Sequence, residues 1–533
     1  MEDEISGKVE QNKAWDVVKR QDKMRVLRSR WVFKFTELPD GSIKVKARVV
    51  ACGYGQREGI DYTEVFAATL ASTSFRLLTA NIATSDLETD TMDAYKAYTQ
   101  ADIDCILYIE MPAGFACPGW VLRLRKALEG IKQGAHLWFN LNRDVLIALG
   151  FVSCIHEPNL YRFPGTRIVI GVFADDILAA FHRSEATIYM GLKCAYAAKI
   201  KVATLDIIPV VSFIGVEIER DRERGTITLR QVNYIEQAFD RYKSEITKCS
   251  TPYGGRDDAS KFDSIKKAPE ADRIDQILYL KLCGAVVWPA SMTHPDIQFA
   301  VSVLCTFVVS PGADHYKALL NVLGYLHKTK HMGLTYSGTL RVPLGLTEMP
   351  DCFGESIGLH TYHDSSFGKG PFPWGGYAVF YANAAVMWRC SKLKLVADST
   401  AYVEMSVATK AAHATVAVRS TLEEIDHAVV GPTPLIGDSK AVRDIIVKSG
   451  SLTRTRHFEL AEMAAKHFYQ MLIVVPYLVG TKDMVADIFT KALDAAPFFH
   501  LRGYMLNLDN GPGTRVVLYG QVARMWSKLL GRR

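Results

Sequence analysis

The 533 residues contain ten scattered cysteines, and no two of them stand as Cys-x-x-Cys. A zinc knuckle or ribbon needs that close pairing for tetrahedral thiolate ligation, and a disulfide framework needs a short, cysteine-dense chain; both are excluded. No apolar run reaches the ~18–20 residues that cross a bilayer. The opening Met1-Glu2-Asp3-Glu4 is acidic, whereas a secretory signal is basic and then apolar. An intracellular, soluble protein without a membrane partner is therefore expected. Internal repeats and low-complexity tracts are also missing. Excess charge of one sign is small: the net +6 favours an anionic partner but equally fits a solvated basic face.

What is present is an ordinary globular composition, 49% hydrophobic and 23% charged, long enough for three or four domains. Basic residues are dense from Lys19 to Arg57 and recur at Arg454, Arg456, Arg515, Arg524, Lys528, Arg532 and Arg533. Near the middle, Ile168-Val169-Ile170-Gly171-Val172-Phe173-Ala174-Asp175-Asp176-Ile177-Leu178-Ala179-Ala180-Phe181 is apolar except for two adjacent carboxylates. It reads as two buried strands of a hairpin with Asp175 and Asp176 at the turn. Two carboxylates within ~4 Å repel by ~4 kcal/mol at a dielectric near 20, and a divalent cation is the cheapest compensation. The plainer alternative is that an Asp-Asp pair simply turns the hairpin. Nucleotidyl transfer would also need a third carboxylate on a neighbouring strand, to clamp two metals ~3.5–4 Å apart. Asp93, in Thr91-Met92-Asp93-Ala94-Tyr95, is the candidate.

Other motifs fall in a definite order along the chain. Trp31-Val32-Phe33-Lys34 is followed by Asp40-Gly41-Ser42, then Lys46-Ala47-Arg48-Val49-Val50-Ala51, Gln56 to Tyr62, and Met92-Asp93-Ala94. Next come Tyr108 to Phe115, Gly130-Ile131-Lys132-Gln133 with Trp138-Phe139, Phe173-Ala174-Asp175-Asp176, and Phe213-Ile214-Gly215-Val216-Glu217. Thr293-His294-Pro295-Asp296-Ile297, His363-Asp364-Ser365, Asp438-Ser439, Arg454-Thr455-Arg456-His457 and Ala486-Asp487-Ile488-Phe489-Thr490-Lys491 complete the series. From about Trp15 to about Leu508 the chain thereby resembles the reverse transcriptase–ribonuclease H part of a copia-type retrotransposon polyprotein.

The resemblance implies a mixed α and β architecture: a right-hand polymerase of fingers, palm and thumb, then a connection and a ribonuclease H-like mixed-sheet domain. The expected boundaries are 1–245 for fingers, palm and the start of the thumb, and 246–355 for thumb and connection. Residues 356–508 would form the ribonuclease H-like domain, and 509–533 a basic tail. The implied activity is RNA-directed DNA polymerisation with Mg2+ (or Mn2+) held by Asp93, Asp175 and Asp176. Implied partners are an RNA template, a DNA or tRNA primer, RNA–DNA hybrid, dNTPs and other retroelement polyprotein products, in the cytoplasm (in a virus-like particle) or the nucleus. Tyr98 matches the aromatic that excludes a ribonucleotide 2′-hydroxyl, with core packing as the alternative. Arg48 and Gln133 match positions near the incoming nucleotide, and both also fit plain surface residues.

In the last domain a strand ending at Asp364, a hairpin through Gly375 to Phe380, a helix from Tyr402 to Ile425, a strand ending at Asp438 and a further helix give the order β-β-β-α-β-α. The resemblance makes Asp364, Asp438 and Asp487 catalytic, metal-holding carboxylates. The fourth should be a Glu in Ser399-Thr400-Ala401-Tyr402-Val403-Glu404, where Tyr402 stands in the first Glu position and Glu404 in the second. Positions i and i+2 of a helix point about 200° apart, so Glu404 is expected not to substitute without a shift of the helix. Ser366 also replaces a common second acid. Impaired RNA-strand cleavage is the expectation, and Tyr402→Glu should raise it. Milder departures are Ala174 for Val, Glu129 for an aromatic, Cys52 for a polar residue, and Gly134-Ala135-His136 after Gln133. A second reading is therefore open: a relic that binds RNA–DNA hybrid without turnover.

Overall fold

A computed structural model describes residues 1–6, 8, 12–37, 42–246, 249–255, 258–263, 265–351, 353, 356–366, 373–393, 400–427, 429–448, 463–508 and 517–518. Asp40-Gly41, Ser399, Arg454-Thr455-Arg456-His457, and the basic Arg515, Arg524, Lys528, Arg532 and Arg533 lie outside the described residues. The chain divides into two compact units, Met1–Leu70 with Thr89–Pro209, and Ala71–Glu88 with Val210–Arg533.

In the first unit the apolar run does form a hairpin. Val169–Phe173 pairs antiparallel with Asp176–Phe181 in a five-stranded sheet. The sheet order is Glu88–Asp93, Asp176–Phe181, Val169–Phe173, Leu160–Arg162, Val152–Ser153. Both central strands are almost wholly buried, which is why their β-branched and apolar residues run continuously instead of alternating. Helices Gly134–Ala148 and Ala186–Ala197 supply Trp138, Leu146, Tyr189 and Tyr196 to the core under Ile170, Val172 and Ile177. Beneath the strand that ends at Asp93 lies a fully buried ion pair, Lys193 to Asp90 at 2.7 Å. Asp90 also accepts hydrogen bonds from the Tyr189 hydroxyl and the Ile208 amide. All charge there is paired and bonded, the condition for tolerating it in a core.

Two further elements complete this unit. One is a four-stranded sheet ordered Trp15–Lys19, Trp120–Leu124, Tyr108–Ile109, Val26–Leu27. The other is a two-stranded ribbon, Ser29–Glu37 with Ile43–Ala51.

The second unit takes in helix Ser72–Thr84 and everything after residue 209. Arg76 ties that helix to the unit. Its fully buried guanidinium donates to the carbonyls of Val386 (2.7 Å) and Ser291 (2.9 Å) and stacks 4.0 Å from the Trp388 ring. Burial lowers its pKa to about 10.

Strands Ser212–Phe213, Val216–Asp221, Thr226–Arg230 and Leu334–Ser337 form a sheet in that order. Its first hairpin turns on Ile214 and Gly215, both at positive φ, as a two-residue type I′ turn requires. Helices Gln276–Met292, Gln298–Cys305 and Ala313–Thr329 precede the last of these strands, in which Leu334, Thr335 and Tyr336 pair with Leu229, Thr228 and Ile227.

The last sheet is ordered Ala384–Lys392, Trp374–Tyr381, His360–Ser366, Thr433–Gly437, Val474–Leu478. Its first three strands are antiparallel, and the last two run parallel to the centre. Helix Thr400–Glu424 packs against it. The fifth strand is an addition to the expected order. Pro476 interrupts its apolar run, and proline in a sheet is tolerated at such an edge.

Candidate active sites: two carboxylate clusters

Asp175 occupies the second position of a two-residue turn, Ala174-Asp175, and Asp176 opens the return strand opposite Phe173. Ala174 sits at φ 54°, a conformation that costs an L-residue roughly 1 kcal/mol. The turn is fastened by Trp138, whose indole N–H donates to the Ala174 carbonyl at 2.7 Å. The Ala94 amide donates to the Asp175 carbonyl at 3.4 Å, which brings the end of the Asp93 strand beside the turn. The three carboxylates thus act on one another. Desolvation and then Asp175 push Asp93 above the usual carboxylate range. Desolvation, Asp175 and Asp93 push Asp176 up to about 6.

Opposing charge comes from the ribbon. Its register places Arg30, Lys34, Lys46 and Arg48 on one face, and Trp31, Phe33, Phe35 and Val45 on the other. Lys46 lowers the pKa of Asp93 and Arg48 that of Tyr98, so the basic face is turned toward the carboxylates. Lys34 and Lys46 stand directly opposite each other across the ribbon; like charges so placed are destabilising unless an anion lies over them. Tyr98 is half-buried, raised by desolvation and then by Asp175, in the short helix Ala97–Gln100 that follows Asp93.

Gln133 does not stand at the surface. It is 0% exposed, accepts from the Gln56 amide (2.9 Å) and donates to the Asp61 carbonyl (2.8 Å) and Asp104 (3.2 Å). Its position braces the loop from residue 56 to 61 and presents no free amide to a nucleotide. Glu129, unusual in the motif, has a physical counterpart in the buried Lys8, 2.6 Å away and also 3.0 Å from Glu4.

The second cluster lies at one end of the last sheet. Asp364 is on the central strand, Asp438 follows Gly437 at the end of the neighbouring strand, and Asp487 lies in the 3-10 turn Val485–Phe489. Asp364 accepts from the Thr490 hydroxyl, and Asp438 from the Thr481 hydroxyl. Desolvation and then Asp364 raise Asp487 to about 7, against the pull of Lys491, whose ammonium lies 2.8 Å away. Desolvation and Asp364 raise Asp438 as well.

Glu404 belongs to this group. Its carboxyl accepts a hydrogen bond from Ser439 and is raised by desolvation and by Asp438 and Asp364. The helix therefore needs no shift to present Glu404, and position 402 lies about 200° from it around the helix. Ser366, in place of an acid, donates to the Thr490 carbonyl at 2.6 Å. The spacing Asp487-x-x-x-Lys491, one helical turn, was the signal for the ion pair that sequence reasoning passed over.

Among the described residues no three His, Cys, Asp or Glu side chains stand in ready metal-ligand geometry. The donor sets nonetheless suit a hard cation. All are carboxylate oxygens, and desolvation first, then repulsion between the acids, raises Asp93 and Asp176 in one cluster, Asp487 and Glu404 in the other.

Residues 12–254 match a family model described as reverse transcriptase (RNA-dependent DNA polymerase). The chain is 26% identical to the retrovirus-related Pol polyprotein from transposon TNT 1-94 of Nicotiana tabacum, over 93% of this chain and 37% of that protein. It is 25% identical to the Pol polyprotein from transposon RE1 of Arabidopsis thaliana, over 91% of this chain and 32% of that one. It thus spans about a third of the length of these curated relatives. A foamy viral protease-reverse transcriptase solved in complex with double-stranded DNA aligns with TM-score 0.43 and 12% identity, covering 89% of this chain and 68% of that one.

Proposed function

We propose, from the premise that this chain belongs to the reverse transcriptase family of copia-type retrotransposons, that it is an RNA-directed DNA polymerase with a ribonuclease H-like domain. The observation that carries this reading is the convergence of Asp93, Asp175 and Asp176 opposite a ribbon face bearing Lys46 and Arg48. Asp93 and Asp175 would be the principal ligands of divalent ions, Mg2+ or Mn2+, with Asp176 supporting. Bound there, such ions supply charge neutralisation and a lowered pKa for the primer 3′-hydroxyl.

The protein's own part is positioning. Trp138 holds the turn that carries Asp175. The ribbon cations receive the phosphates of a dNTP, for which an arginine fork is suited. Tyr98 closes the floor against a ribose 2′-hydroxyl. An RNA template, a DNA or tRNA primer and RNA–DNA hybrid are the corresponding partners. In the second cluster Asp364, Asp438, Asp487 and Glu404 supply four acids for cleavage of the RNA strand of a hybrid. That arrangement weakens the argument for impairment drawn from Tyr402.

Primer extension on an RNA template in magnesium tests the reading. Asp175→Asn should abolish extension and leave hybrid binding intact or slightly tighter; extension that persists at the normal rate would overturn the assignment. One observation favours the second reading, a relic that binds hybrid without turnover: the amide of Gln133 is wholly engaged inside the protein. Binding of hybrid with no extension by the unmodified chain would establish that alternative.

A further inference from the structure

We propose that the ammonium of Lys491 is the resident counter-ion of the second carboxylate cluster and competes with a divalent cation for Asp487. The inference rests on reading that cluster as the metal-holding site of the ribonuclease H-like domain. Three observations carry it.

First, the Lys491 Nζ lies 2.8 Å from Asp487 Oδ1, and Asp487 is only 6% exposed in its side chain. An ammonium at that distance occupies the space that a cation bound to the same oxygen would need, because the first shell of a divalent ion stands ~2.0–2.6 Å from its oxygens.

Second, the ammonium feels all three aspartates of the cluster. Asp364 and Asp438 act on it besides Asp487. It therefore neutralises part of the charge that would otherwise draw a metal in.

Third, its placement is built into the backbone. The Lys491 amide donates to the Asp487 carbonyl at 3.2 Å. The preceding Thr490 donates from its hydroxyl to Asp364 and accepts at its carbonyl from Ser366. The segment is thus held on both sides of the acid cluster, while the Lys491 side chain is 38% exposed and has open solvent into which it can withdraw. Withdrawal would leave the ammonium at the rim of the site, where a hybrid's phosphate could receive it. Uptake of the metal and arrival of the anionic substrate would then favour each other.

The test is binding of Mn2+ to the full chain, followed by the electron paramagnetic resonance signal of the free ion. An Asp93→Asn/Asp175→Asn background removes the contribution of the first cluster. Adding Lys491→Met should tighten Mn2+ binding by ~10-fold or more, since a unit positive charge a few ångströms away is removed. Lys491→Arg should keep the weak binding, and Asp364→Asn should abolish the tight site. The same Lys491→Met chain should melt at lower temperature without metal and show a larger rise in melting temperature on adding Mn2+. Lys491→Gln serves if the methionine variant does not fold.

Asp364-dependent binding of equal strength with and without Lys491 would overturn the competition and leave the metal-site reading standing. Absence of any Asp364-dependent binding in either chain would overturn the metal-site reading itself.

Discussion

The two acidic clusters solve one electrostatic problem in different ways. In the first, Asp93, Asp175 and Asp176 are exposed although desolvation still acts on Asp93 and Asp176, and counter-charge comes from Lys46 on the basic face of the ribbon. In the second, Asp364 and Asp487 are buried, at 7% and 4% exposed, and the counter-charge is a partly exposed lysine ion-paired with one of the acids. An exposed cluster can leave its repulsion to water and to whatever binds. A buried one must carry its compensation within the fold, because unpaired charge in low dielectric is costly. The first arrangement leaves its acids without an ion-paired lysine among the described residues, and the second holds the Lys491 ammonium against Asp487.

The support beneath the clusters differs too, and breaking it should give the largest effect. Under the strand that ends at Asp93 lies the fully buried pair Asp90–Lys193. Lys193→Met would strand an uncompensated carboxylate in the core and should cost about 3–5 kcal/mol. Denaturant unfolding read by fluorescence would show this as a lowered midpoint. A loss under 1 kcal/mol would mean that water reaches Asp90.

Next in size is a pH effect confined to the buried cluster. In the folded protein Asp487 keeps its proton to about pH 7, driven first by desolvation and then by Asp364; in the unfolded chain it loses it near pH 4. Between those values the folded state binds more protons, so stability falls as pH rises and levels off above about 7. The loss should be on the order of 2–4 kcal/mol in metal-free buffer. Asp487→Asn should flatten the curve across that window, as measured by melting temperature against pH. An unchanged slope would place the titration elsewhere.

A smaller effect should separate the two sites kinetically. Trp138→Phe keeps an aromatic in the core but removes the indole bond to the Ala174 carbonyl. One lost hydrogen bond at a strained turn is worth about 1–1.5 kcal/mol. Polymerisation should fall roughly 5- to 15-fold, with hydrolysis of the RNA strand unchanged. Equal losses in both activities would point to a general loss of folded protein.

Much of this was legible in the sequence where the signal is local. The hairpin around Asp175 follows from an apolar run broken once by two carboxylates. What escaped depends on partners far along the chain. Gln133 is buried because Gln56, 77 positions away, bonds its amide. Helix Ser72–Thr84 joins the second unit because Arg76 reaches Val386, 310 positions on. The strand Val474–Leu478 was hidden by Pro476. Lys491 closes a recognisable motif, yet its pairing with Asp487 depends on the backbone turn that brings the two side chains together.

The smallest expected effect concerns Tyr402, and it reverses what the motif alone implies. The family pattern has a Glu at that place, so its loss suggests a missing ligand. In the folded protein Glu404 faces the acids, held by Ser439 and coupled to Asp438 and Asp364. Ser439 is itself fixed as the cap of helix Lys440–Val447, where its side chain accepts from the Val442 amide. A carboxylate placed at 402 by Tyr402→Glu would point about 200° away from Glu404 around the helix. It could not reach the cluster, so hydrolysis of the RNA strand should change by less than about 3-fold, under 1 kcal/mol. Glu404→Gln, by contrast, should remove most of the cleavage and leave primer extension untouched. Cleavage by both variants on a labelled RNA–DNA hybrid decides the matter. A large gain from Tyr402→Glu, with little loss from Glu404→Gln, would mean that the helix rotates when hybrid binds and that position 402 is the one that meets the site.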